Sequence, residues 1–101
     1  MTLAELQQRF LTGLERRLGE IVNVLTGTHD TESLMRMFHS LAGIAGTYGF
    51  RRITDISREC EEFCVSAMSD ARTLTAQDIG RLQGSVEAIR EAREFPGPPP
   101  R

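Results

Sequence analysis

The chain has 101 residues, 26% of them charged, with a formal net charge of -2 and a pI near 5.7. A chain of that length folds as one domain, burying roughly two thirds of the surface its unfolded form exposes, and its charge balance offers no dense basic cluster to neutralise a run of phosphates, which argues against nucleic acid as a partner. No apolar run approaches the ~20 residues of a bilayer crossing, and Glu5 stands where a secretory leader carries positive charge, so a cytoplasmic protein without a membrane partner is expected.

Thr2-Leu3-Ala4-Glu5 has the form of a capping box, and Leu3, Leu6, Phe10, Leu14, Ile21 and Leu25 follow at helical spacing, predicting a first helix over about 3–25. The turn-rich stretch from Thr26 to Thr31 separates it from a second helix, capped by Asp30 or Thr31 and ending at Tyr48-Gly49. His29 falls in that turn and reads as solvated loop. Phe50, Ile53, Ile56, Cys60, Phe63, Cys64 and Ala67 trace a third helix over about 50–68, closed by the polar run Ser69 to Thr73. Cys60 and Cys64 lie on this stripe as small apolar side chains, and the two histidines give no sign of converging on them, so no metal site is expected. Thr75-Ala76-Gln77-Asp78 offers another capping box, after which Ile79, Leu82, Val86 and Ile89 mark a fourth helix. No stretch alternates with period two. The expectation is an all-α protein, an antiparallel up-down four-helix bundle over 1–94, followed by a flexible proline-rich tail over 95–101.

The second helix carries the chemistry. At about 100° per residue, Leu34, Phe38, Leu41, Ala45 and Tyr48 gather on one side, while Arg36, His39, Gly43 and Gly46 gather opposite. The apolar side is core, which leaves the imidazole of His39 facing solvent. Glycine costs nearly 1 kcal/mol relative to alanine inside a helix, so two glycines beside the ring suggest a surface meant for close docking of another macromolecule. Met35, Ala42, Gly43 and Gly46 are the expected small apolar ring of that surface. An exposed imidazole is a competent nitrogen nucleophile that can accept and pass on a phosphoryl group without a cofactor of its own.

The spacing His39-x-Leu41-x-Gly43-x-Ala45-x-x-x-Gly49 resembles the H-x-L-K-G-x-A-x-x-x-G signature of histidine-containing phosphotransfer (HPt) domains, and Gly46-Thr47-Tyr48-Gly49-Phe50 is similar to the matching stretch in chemotaxis-type kinases. The resemblance spans nearly the whole chain. It implies a monomeric four-helix carrier in a bacterial two-component phosphorelay, with His39 as phosphoacceptor and the aspartate of a response-regulator or hybrid-kinase receiver domain as donor or acceptor. The receiver would supply Mg²⁺. The lysine that the family places three residues after the histidine is Ala42 here, and Arg36, on the same face, is the expected partial substitute, with Arg51 and Arg52 more distant. The resemblance also places Glu61 where some members hold a carboxylate against the unreactive imidazole nitrogen; with Glu59 and Glu62, it reads more readily as part of a solvated charged flank.

Two alternatives accompany this reading. Without the lysine, the bundle would be a pseudo-HPt module that docks a receiver or kinase without efficient transfer. The phosphoacceptor module of a sensor kinase fits less well, because Ser40 follows the histidine where an acidic residue is usual and no nucleotide-binding glycine motif is present.

Overall fold

The computed structural model describes residues 1–93, and these form four α-helices joined by short connections: α1 (Leu3–Thr26), α2 (Thr31–Thr47), α3 (Arg51–Ser69) and α4 (Ala76–Ala92). The tail expected over 95–101 lies outside the described residues. Helices adjacent in sequence pack together and α1 also meets α4, with α2 and α3 the most extensively packed pair. Leu14, Leu18 and Ile21 of α1, Phe38 and Leu41 of α2, Ile53 and Cys64 of α3, and Leu82 and Ile89 of α4 fill one shared core. Each large apolar side chain there contributes about 1.5–3 kcal/mol by leaving water.

The caps differ in detail from their sequence signatures. Thr75 and Asp78 form a complete capping box, each side chain accepting from the other's backbone N–H. Thr2 accepts from the Glu5 N–H at 3.2 Å, a single bond of the expected pair. Asp30 occupies the α2 cap position, but its carboxylate accepts from the Ser33 hydroxyl at 2.5 Å instead of from a backbone N–H. Leu3, expected in the apolar stripe, is 54% exposed. Gln7 already reaches the Tyr48 carbonyl at the end of α2, so Leu3 lies one turn past anything α2 can offer it.

His29 has a structural role that its turn-rich surroundings do not reveal. It adopts a left-handed φ of 57°, its N–H donates to the Val24 carbonyl at 2.8 Å, and its Nδ1 donates to the Leu25 carbonyl at 2.6 Å. Both bonds satisfy carbonyls that the end of α1 would otherwise leave without partners.

Cys60 and Cys64 are buried, unpaired thiols in the core. Burial raises both, and Cys64 is pushed up to about 11 by burial first and then by the neighbouring Cys60 and Glu61. A thiol whose pKa is raised by folding contributes stability that is complete below the ordinary value of 9.0 and is lost as pH climbs through the folded value. Urea midpoints should therefore hold steady up to about pH 9 and fall toward pH 11. A midpoint that rises across that interval would contradict the buried-thiol account.

Candidate functional site

His39 stands midway along α2 with its side chain 74% exposed. Its Nδ1 lies 2.6 Å from Oε2 of Glu61 on α3, whose side chain is 23% exposed. A carboxylate only accepts, so Nδ1 carries the hydrogen and donates it. Nε2 makes no hydrogen bond among the described residues and keeps its lone pair. The pairing fixes tautomer and ring orientation together. Within the Glu59, Glu61, Glu62 run, Glu61 is the half-buried member that bonds the ring, against the expectation of a solvated flank, while Glu59 and Glu62 are exposed.

The other expected site residues divide by flank. Arg36 is exposed and pairs with Glu32 one turn back at 2.6 Å. It borders a groove against α1 with Arg17 and Glu20, on the side of His39 away from Glu61. A pair so exposed is worth about 0.3–0.5 kcal/mol. Met35 is half-buried, and Gly43 and Gly46 are exposed. Ala42 departs from the expected surface ring: it is 3% exposed, because its helical position turns its methyl toward α3 together with Phe38 and Ala45.

The glycines have different internal surroundings. A Cβ at Gly43 would meet nothing within 4 Å, whereas one at Gly46 would sit 3.6 Å from Oγ1 of Thr54 on α3, an ordinary contact. Neither glycine is required by packing. Gly13, Gly19, Gly80 and Gly84 are equally open, so cost to the helix alone does not single out the α2 pair; their place beside His39 does. Gly49 is different, with a φ of 82° that ends α2 while Phe50 N–H donates to the Ala45 carbonyl. The last glycine of the motif is thus a helix stop.

Sequence periodicity did not find the α3 side of the site. Thr54 and Ser57 are polar yet buried, at 8% and 0% exposure, on the face that also carries Glu61. Thr54 satisfies its hydroxyl on the Phe50 carbonyl at 2.9 Å, but Ser57 Oγ has no hydrogen-bond partner among the described residues. Leaving a buried hydroxyl unsatisfied costs about 1–3 kcal/mol. Ser57→Ala should accordingly raise the melting temperature by about 4 °C or more, and a lower melting temperature would show that the hydroxyl is satisfied in solution. Val65 and Met68, four and seven residues past Glu61, are 45% and 40% exposed. They add apolar surface on the same face, and the signal available for them was that both are apolar yet fall outside the stripe of Cys60, Cys64 and Ala67.

These helices define a protein class: a helical bundle that holds one exposed imidazole by a single nitrogen and leaves the other without a partner among the described residues. A family model of the Hpt domain matches residues 5–92, and the chain belongs to the Hpt domain family. Comparison with curated proteins and with solved structures gave no match. Membership places the chain in phosphotransfer of two-component signalling, where Hpt domains interact with receiver domains. Among the described residues, no helix is long and apolar enough to cross a membrane.

Proposed function

We propose that this chain is a cytoplasmic, monomeric phosphohistidine carrier, taking a phosphoryl group on Nε2 of His39 from the aspartyl phosphate of a receiver domain or returning it there. The observation that carries the reading is the 2.6 Å bond from Nδ1 to Glu61, since it leaves the nucleophilic lone pair at the exposed nitrogen. In the forward step that lone pair forms the N–P bond as the P–O bond to the aspartyl oxygen breaks. The electron pair of that bond leaves with the carboxylate. The ring becomes cationic, and Glu61 stabilises its Nδ1–H through a charge-assisted hydrogen bond. Return of the group reverses each change. The transfer needs positioning and charge neutralisation more than covalent chemistry from the protein, and the Mg²⁺ for that would come with the receiver.

Arg36 is proposed as one supporting cation, released from its weak pair with Glu32 to meet the incoming phosphoryl oxygens. Met35, Gly43 and Gly46 are proposed as the docking surface, with Ala42 beneath it. The antiparallel up-down arrangement belongs to the same proposal. It is supported by contacts joining early α1 to late α2, through Gln7 and Tyr48, and the middle of α1 to late α4, through Glu15 with Arg90 and Arg93. The pseudo-HPt alternative rests on Ala42 alone, whereas the oriented imidazole has no use in a module that only docks.

The test is a chase. His39 labelled with phosphate is mixed with a receiver domain and Mg²⁺, and acid-labile label should leave the chain as acyl phosphate appears on the receiver. Tight association with no movement of label would favour the docking module.

A further inference from the structure

A phosphoryl group on His39 would bring about two negative charges to a ring already bonded to the Glu61 carboxylate, with Glu32 two turns back on the same face of α2. The cationic ring, paired with Glu61, offsets only part of that charge, and α2 provides no further cation on the flank that faces α3, where Ala42 is buried. The α2–α3 register shows where one is available. His39 meets Glu61, and Gly46 faces Thr54. The two pairs are seven residues apart on each helix and run in opposite directions. Ala42 lies three residues past His39, and the residue three before Glu61 is Arg58, so Arg58 stands across the seam from Ala42.

Arg58 is exposed, and among the described residues it makes no ion pair and no side-chain hydrogen bond. It lies about 4.5 Å from Glu61 along the α3 axis, one helical turn from the carboxylate that holds the ring. Arg36 is on the opposite flank and already engaged by Glu32 at 2.6 Å. The long aliphatic stem of an arginine can lie over a small neighbour such as Ala42 while its guanidinium reaches solvent-exposed oxygens.

We infer that Arg58, contributed by α3, is the principal cation for the phosphoryl group on His39, its N–H groups donating to the phosphoryl oxygens from the place where Ala42 leaves α2 without charge. This rests on His39 being the phosphoacceptor. A guanidinium suits the role because its planar fork matches two oxygens of one phosphoryl group and stays charged throughout. Arg58 takes no part in the covalent change: the N–P bond forms and the donor's bond to phosphorus breaks as above, and the guanidinium hydrogen-bonds the transferred group before and after.

The experiment uses phosphoramidate as donor, so that no receiver surface is involved. It follows the rate of acid-labile adduct formation and the lifetime of the adduct for wild type, Arg58→Ala, Arg58→Lys, Arg36→Ala and Arg9→Ala, with melting temperatures measured alongside. Arg58→Ala should slow acceptance and shorten the lifetime by about threefold to tenfold, Arg58→Lys, which keeps the charge but not the fork, should recover part of the loss, and Arg9→Ala, remote on α1, should match wild type. A structural role for Arg58 would move the melting temperature and would not be rescued by lysine. Wild-type adduct with Arg58→Ala indistinguishable from it overturns this inference alone, as does a loss confined to Arg36→Ala. If wild type itself forms no adduct, the phosphotransfer reading falls and takes this inference with it.

Discussion

Replacing Gly43 by tryptophan is expected to cut phosphoryl exchange with a receiver by about a hundredfold or more, equivalent to about 2.8 kcal/mol, while acceptance from a small donor stays within about threefold of wild type. Gly43 is exposed one turn from His39, and a Cβ there meets nothing within 4 Å. The indole therefore displaces nothing inside the bundle, and tryptophan is a better helix former than glycine. Helicity and melting temperature should hold or rise. In the proposed transfer a receiver brings its aspartate within bonding distance of Nε2, so a bulky ring beside His39 would oppose docking through a clash that a small phosphoryl donor does not feel. Comparing the two donors on the same variant separates these effects. Equal loss with both would mean that Gly43 matters to the ring itself, and normal exchange with the receiver would place the docking surface elsewhere.

The second large effect belongs to Glu61. Its carboxylate is the protein partner of the His39 ring, and partners that orient a reactive or ligating imidazole are typically worth about tenfold to a hundredfold. Glu61→Ala should lower the acceptance rate by that amount through two losses. The ring gains rotational freedom, and the hydrogen on Nδ1 loses the acceptor that makes Nε2 the free nitrogen. Glu61→Gln keeps an acceptor oxygen without the charge and should fall between alanine and wild type. Nitrogen NMR of the ring provides the mechanistic readout, since the tautomer population should shift in the alanine variant. A rate within twofold of wild type with an unchanged tautomer would reduce Glu61 to a bystander.

The helices were legible in the sequence because Phe10, Leu14, Ile21 and Leu25, and their counterparts in the other three segments, repeat at a spacing that only a helix can turn to one side. The exposure of His39 followed from the same arithmetic. What periodicity leaves open is how one helix is rotated against its neighbour. That rotation decides whether Glu61 or Glu62 meets the imidazole, and it places Ala42 under α3 instead of on the surface. Thr54 and Ser57 were hidden for a related reason: small polar side chains fit the seam between α2 and α3, but their composition reads as solvated surface. His29 escaped because its left-handed backbone depends on the way Gly27 and Thr28 end α1, a property of the chain path that no single residue type announces. Gly49 was legible both as a helix stop and as part of a motif, and it serves as the stop.

Phosphoryl acceptance by His39 is tested most directly by the intact mass of the folded protein after incubation with phosphoramidate, for wild type and for His39→Gln. Wild type should gain a single phosphoryl group of about 80 Da, lost on brief acid treatment and absent from the variant. An adduct that persists in His39→Gln, or a folded, helical wild type that gains no mass, would contradict acceptance at His39.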